Sequence, residues 1–187
     1  IPNSVTNIGE FAFANCRFLS KVNMPDSGVV NIGQRAFESC YSLSKIKIPS
    51  SVKSIGFGAF RFSSVSEIVL PEGIKSIGAS TFEGCSSMKS LTIPSSVESI
   101  EAAAFAGCSS LETINAYPLT APQTDSTAFI NVPSTTVLNI QDGAAGYSNM
   151  PWVQWLRTDS ISPVENVECT SGGNYICNTI LKIFVKY

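Results

Sequence analysis

Apolar residues return along the first two thirds of the chain in a fixed order. The pair apolar-Pro occurs at Ile1-Pro2, Met24-Pro25, Ile48-Pro49, Leu70-Pro71 and Ile93-Pro94, nearly evenly spaced, and Ala116 continues the series. The interval is longest from Met24 to Ile48 and shortest from Ile48 to Leu70. Each copy closes an apolar-x-x-apolar-x-apolar run: Leu19/Val22/Met24, Leu43/Ile46/Ile48, Val65/Ile68/Leu70, Met88/Leu91/Ile93 and Leu111/Ile114/Ala116. The final i, i+2 alternation predicts a short strand with one buried side. Proline just beyond it has no amide donor, so the strand stops there. A second apolar pair follows at Val5/Ile8, Val30/Ile32, Val52/Ile55, Ile74/Ile77 and Val97/Ile100. Next come Gly9, Gly33, Gly56 and Gly78, where the chain is expected to turn through positive φ, with Glu101 in that place in the fifth unit. Phe13, Phe37, Phe60, Phe82 and Phe105 complete the unit at a spacing that predicts a stacked aromatic spine.

A unit of this size cannot bury such a face by itself, whereas stacked neighbours can, so the period predicts a solenoid. Past Asn115 the register weakens, yet Pro118, Pro122, Ala128-Phe129 and Val137-Leu138-Asn139-Ile140 keep the order of one degenerate terminal unit. The expected organisation is a solenoid over 1–140, an aromatic C-terminal cap over 141–160 and a hairpin-like tail over 161–187. The cap holds Tyr147 and the cluster Trp152, Val153, Trp155 and Leu156; the tail has strand-like runs around Ser171-Gly172-Gly173-Asn174.

The repeat resembles the leucine-rich repeats of the BspA-like family. Ile48-Pro49-Ser50-Ser51-Val52-Lys53-Ser54-Ile55-Gly56 followed by Ala59-Phe60 carries the likeness, as does Ile93 to Ile100 followed by Ala104-Phe105-Ala106-Gly107-Cys108-Ser109-Ser110-Leu111. The resemblance implies an α/β repeat solenoid, a right-handed leucine-rich-repeat fold of mainly short parallel β-strands with turns, few short helices and a C-terminal cap. It also implies a bacterial cell-surface or secreted protein, adhesin-like, that binds a host or microbial protein. No signal peptide opens the chain, which starts inside a repeat, so export rests on the likeness and the natural start is expected upstream.

Composition removes several alternatives. Of 187 residues only 14% are charged, net charge is -2, and there is no histidine. Nucleic acid is a poor partner for a chain without a Lys/Arg excess. Without imidazole there is no Ser-His-Asp or Cys-His pair and no His-ligated zinc. Glu38 with Glu83 and Glu98 with Glu101 lack supporting residues that would split their pKa values. No phosphate loop, dinucleotide fingerprint or EF-hand pattern is present. The expectation is a non-enzyme without cofactor or metal, and no apolar run is long enough for a transmembrane segment.

Cys16, Cys40, Cys85 and Cys108 share one repeat position, and free buried thiols stacked along the solenoid are expected there. Cys169 and Cys177 flank the Gly-Gly loop, and a hairpin there would bring them together as a disulfide.

A leucine-rich repeat would carry its ligand on outward strand positions. These give a candidate protein-binding face of Lys21, Asn23, Lys45, Lys47, Glu67, Val69, Ser90, Thr92, Thr113 and Asn115, basic at its first end and neutral to acidic beyond. Two rival functions are a structural spacer within a larger surface protein and a glycan-binding module. The second needs Tyr147, Trp152 and Trp155 exposed around a concavity.

Overall fold

The computed structural model describes residues 1–155. The chain winds through about six turns whose strands run parallel from one turn to the next. One row of strands stands where the repeat predicts it: β4 (Glu67–Val69), β6 (Ser90–Ile93), β8 (Thr113–Ala116) and β10 (Val137–Ile140), hydrogen-bonded in the order β10-β8-β6-β4. Their register is the repeat itself, with Ile68 beside Leu91, Leu91 beside Ile114 and Ile114 beside Leu138. All four of these side chains are buried.

A second row comes from the other apolar pair, which the repeat did not mark as strand. It contains β1 (Asn7–Ile8), β2 (Asn31–Ile32) and β3 (Ser54–Ile55) as one sheet, and β5 (Ser76–Ile77), β7 (Ser99–Ile100) and β9 (Gln123–Thr124) as another. In the second unit Val29, not Val30, takes the inward position: Val29 is buried and Val30 exposed. This unit is the longest of the series, and Gly28 takes up the excess at φ 114°. A Cβ there would stand 2.6 Å from the Asn3 carbonyl oxygen.

The aromatic spine is present. Phe13, Phe37, Phe60, Phe82, Phe105 and Phe129 stack with centroids 5.1 to 5.4 Å apart and planes within 11° of parallel. The four middle rings are fully buried, so the spine is the centre of the core.

Between the second pair and the strand, the resemblance implied short helices. Among the described residues the only helix is a single 3-10 turn, Trp152–Trp155, and the α/β label therefore gives way to a β-solenoid. Backbone bonding explains the difference. In the second unit Ala36 and Glu38 donate to Gly33 and Arg35 within the turn, while Arg35, Phe37 and Ser39 donate to Phe57, Ala59 and Arg61 of the next turn at 2.7 to 2.8 Å. Alternate amides therefore close local turns and link neighbours, which leaves no donor for an i to i-4 ladder.

This alternation needs left-handed residues, and they are not the glycines the sequence suggested. Gly9, Gly33, Gly56 and Gly78 are absent from the positive-φ residues, which instead include Phe11, Arg35, Gly58, Ser80 and Ala103 two places later. Gly33 and Gly56 answer a different demand. A Cβ on Gly56 would lie 2.6 Å from the Gln34 nitrogen, and one on Gly33 2.8 Å from the Ile8 oxygen, so close approach of successive turns excludes a side chain. At Gly78 the nearest atoms are 3.4 and 3.5 Å away, so a side chain would meet only ordinary contacts there.

Candidate functional site

The strand side of the first three turns departs from the continuous ladder. Among the described residues, turns one and two pair as strands there only at the bridge between Lys21 and Lys45. Turn three touches turn two through the Ser66 amide, which donates to the Ser44 oxygen at 3.0 Å. β4 is the outermost strand of its sheet, paired with β6 on one side only. A groove of 1070 Å³ lies over this interruption.

Six of the ten expected face residues line it: Lys21, Asn23, Lys45, Lys47, Glu67 and Val69. All six are exposed, and Val69 is 56% exposed for an apolar side chain. The floor is apolar, formed by Val22, Met24, Ile46, Ile48 and Leu70. Lys47 is held by Asp26, whose carboxyl the Lys47 hydrogen bond and charge keep below its ordinary value. Lys21 and Lys45 make no ion pair among the described residues. Asp26 was not among the expected site residues, although the interval that carries it, from Met24 to Ile48, is the longest in the repeat.

The other four lie elsewhere on the same side. Ser90 and Thr92 on β6 and Thr113 and Asn115 on β8 are half-buried within the paired ladder and do not line the groove. Asn115 is also engaged laterally, accepting from Asn139 Nδ2 at 2.8 Å. Cys169 and Cys177, and the tail that holds them, fall outside the described residues.

Cys40, Cys85 and Cys108 are free and buried as expected, but Cys16 is exposed. Each buried thiol donates to the oxygen of a spine phenylalanine one turn back: Phe13, Phe60 and Phe82 at 3.2, 3.1 and 3.4 Å. Burial pushes Cys40 and Cys85 up to about 11 and Cys108 well above its usual value. These thiols are packing groups, far from the reactive thiolate state.

The carboxylate pair Glu38 and Glu83 is not isolated, as the sequence suggested. Arg61 lies between them at the same repeat position, donating to both Glu83 oxygens at 2.9 Å and standing 3.6 Å from Glu38. Its hydrogen bond holds Glu83 below the ordinary carboxylate value. Glu83 is thus held in an ion pair and is not poised for proton transfer.

Tyr147 and Trp152 are buried, each 2% exposed. Trp152 packs edge-on against Phe129 at 5.3 Å, and the Tyr147 hydroxyl donates to the Pro118 oxygen at 3.0 Å. Burial pushes the Tyr147 phenol up to about 12. Two of the three rings of an exposed glycan platform are thus packed against the last turn.

Parallel short strands, a regular repeat and an outward polar face define a leucine-rich-repeat-like solenoid. The chain belongs to the BspA type leucine rich repeat family, whose model matches six copies over residues 1–112 and 75–178. It is similar to a leucine-rich repeat protein from Bacteroides ovatus at 34% identity and TM-score 0.61, covering 74% of this chain and 38% of that one. A leucine rich cell surface protein from Faecalibacterium prausnitzii is 35% identical with TM-score 0.55, covering 77% and 35% of the two chains. The leucine rich repeat protein of T. pallidum is 27% identical with TM-score 0.59, covering 74% and 63%. The present chain thus spans less than two thirds of each of these three structures. No curated protein matches it. The family is generally a non-enzymatic repeat scaffold and its fold suggests protein interaction. Among the described residues no helix is long and apolar enough to cross a membrane.

Proposed function

We propose that this chain is the recognition module of a bacterial cell-surface or secreted protein, an adhesin-like part that holds a host or microbial protein on its strand side. The groove over the first three turns carries the reading. It joins an apolar floor to two lysines, Lys21 and Lys45, that make no ion pair among the described residues, beside Glu67 on the same groove. A surface held together for stability alone pairs its charges or leaves them scattered; apolar area framed by uncompensated charge suits a partner. The partner's acidic patch would sit at Lys21 and Lys45, while Ser90, Thr92, Thr113 and Asn115 would extend the contact along the ladder. Tyr147 and Trp152 act in this reading as the cap that closes the last turn. Recognition proceeds by surface complementarity, with no bond made or broken.

The test is a binding screen against extracellular-matrix and bacterial-surface proteins, run in parallel with K21E/K45E/K47E. Saturable binding that the triple variant loses by tenfold or more supports the groove. Binding that survives the triple variant places the partner elsewhere. An intact fold that binds nothing leaves the structural spacer as the better account.

A further inference from the structure

Arginines and lysines are segregated on this molecule. Among the described residues Arg17 lies over the Tyr41 ring at 5.7 Å, Arg35 over Phe11 and Phe57 at 5.7 and 5.4 Å, and Arg61 over Phe62 at 4.5 Å, whereas no lysine lies over a ring. All four rings are exposed, and none of these residues lines the groove. A planar, weakly hydrated guanidinium stacks on aromatic faces, where a compact ammonium keeps its water. The stack of turns does not require this arrangement. Ser80 and Ala103 hold the position of Arg35 in later turns, and Ala79 and Ala102 hold that of Phe57.

Arg35 is the centre of this surface. Gly58 occupies its repeat position in the next turn, and a Cβ there would stand 3.3 Å from Arg35 Cγ, so the glycine gives the arginine room to run across turn three toward Phe57. Arg35 Nε is enclosed and has no hydrogen-bond acceptor among the described residues. The nearest acid, Glu38, stands 3.8 Å from it and is shared with Arg61 at 3.6 Å. Arg61 differs, because its fork is spent on both Glu83 oxygens. The Arg35 side chain is 34% exposed, and the enclosure of Nε leaves its two terminal nitrogens as the donors that an outside group can reach. A third acid, Glu10, is exposed in turn one at the repeat position that Phe57 holds in turn three, and it makes no ion pair among the described residues.

We infer that this face is a second contact surface for a protein partner, anchored by one aspartate or glutamate side chain of that partner, which Arg35 receives end-on between Phe11 and Phe57. Two parallel N–H donors match the two oxygens of a carboxylate. The positive edges of the flanking rings add to the attraction, and their apolar bodies pack against apolar residues on either side of the acid. Arginine with aromatic rings and without lysine is the composition of interface centres. Glu10, Glu38 and Glu83 around the arginine restrict the partner to a single carboxylate in an apolar setting, because a run of acids would meet them. The inference goes beyond the groove and does not rest on it, since no lysine takes part.

The probe is acetyl-Leu-Glu-Leu amide, with acetyl-Leu-Gln-Leu amide as its uncharged counterpart and tetragalacturonic acid as carboxylate carried on sugar. Each is titrated into nitrogen-15-labelled protein while the arginine Nε–H resonances are followed by NMR. The glutamate peptide should shift the Arg35 resonance saturably, and the glutamine peptide should bind at least fivefold more weakly. The Arg61 resonance should change little. Phe11→Ala/Phe57→Ala keeps the arginine without its flanking rings and should weaken the glutamate peptide at least threefold. Arg35→Lys keeps the charge without the fork and should abolish saturable shifts at the Phe57 amide. Equal affinity of the two peptides, undiminished affinity in the double phenylalanine variant, or no saturable shift at Arg35 overturns the assignment. A shift at Arg35 by tetragalacturonic acid and not by the glutamate peptide assigns the face to an acidic glycan and overturns the protein partner. The comparison of peptides uses the unaltered protein, so it stands whether or not a variant folds. Failure of the protein screen with the lysine variant removes the groove and leaves this face in place.

Discussion

Turns one to three and turns four to six follow one repeat, yet they use their outward positions differently. The later turns place Ser80 and Ala103, Ala79 and Ala102, Gly84 and Gly107, and Ser86 and Ser109 where the earlier ones place Phe11, Phe57, Phe62 and Tyr41. Those four aromatics are 39 to 50% exposed. Arginines lie over them, with Arg35 between Phe11 and Phe57 at 5.7 and 5.4 Å and Arg61 over Phe62 at 4.5 Å. On the strand side an unbroken ladder runs from β4 in turn three through the later turns to β10, and the groove lies over turns one to three. The inward residues hardly differ, since the phenylalanine spine runs through both halves at nearly constant spacing. The comparison separates two roles: burial of the repeated apolar face holds the stack, and outward positions of the first half are free to carry contacts.

The sharpest break of that comparison is in the shared spine. Phe82→Ala, where the ring is fully buried between Phe60 and Phe105, should cost about 3–5 kcal/mol in chemical denaturation. Phe13→Ala, at the half-buried first position, should cost only about 1–2 kcal/mol, because one face of its ring meets no other ring of the spine. Equal losses would mean that the first turn is as tightly held as the fourth.

Glycine substitutions probe the spacing of turns. Gly56→Ala puts a Cβ against the Gln34 backbone and should destabilise by about 1–3 kcal/mol. Gly78→Ala meets only ordinary contacts, and its effect should lie between none and a gain of about 1 kcal/mol from the less flexible unfolded chain. A thermal melt of each variant distinguishes them.

Arg61 ties turns two, three and four together outside the core. Arg61→Met removes the cation between Glu38 and Glu83, with Arg35 still 3.8 Å from Glu38, and should cost about 1 kcal/mol, reduced from a buried pair because the side chain is 27% exposed. Glu83 has a lowered pKa, so its contribution is present above the ordinary carboxylate value of 4.5 and fades as pH falls through the folded-state value. The gap between wild type and variant should close in acid melts.

The smallest effects belong to the thiols. Iodoacetamide on the native protein should label Cys16 and spare Cys40, Cys85 and Cys108, as read by peptide mass mapping. The buried thiols have raised values, so they favour the folded state fully below 9.0, and that preference declines as pH rises toward about 11. The melting temperature should fall over this window, and less steeply in Cys85→Ala.

Much of this architecture was legible in the repeat. Ile68, Leu91, Ile114 and the spine phenylalanines occupy the core because burial in a stack of turns is periodic, and periodic burial leaves a periodic sequence. Six of ten outward residues were also placed on one groove, since strand alternation fixes which side a residue faces. The remaining features misled for identifiable reasons. Glycine at Gly33 and Gly56 suggested positive φ, but a one-dimensional pattern does not separate a special φ from a close approach of backbone. The alternating turns around Arg35, Gly58 and Ser80 have no residue-type signature, because non-glycine residues accept left-handed geometry there in exchange for bonds to the next turn.

The order of apolar positions therefore specified the stack, its period and the residues at its centre, since these depend on burial that each unit repeats. Where the sheet opens, which lysines remain unpaired and which glycines are indispensable depended on how the long interval from Met24 to Ile48 and the short one from Ile48 to Leu70 were accommodated between neighbouring turns. That accommodation is a relation between segments a whole turn apart, set by backbone bonding across turns, and it exists only once the turns are stacked.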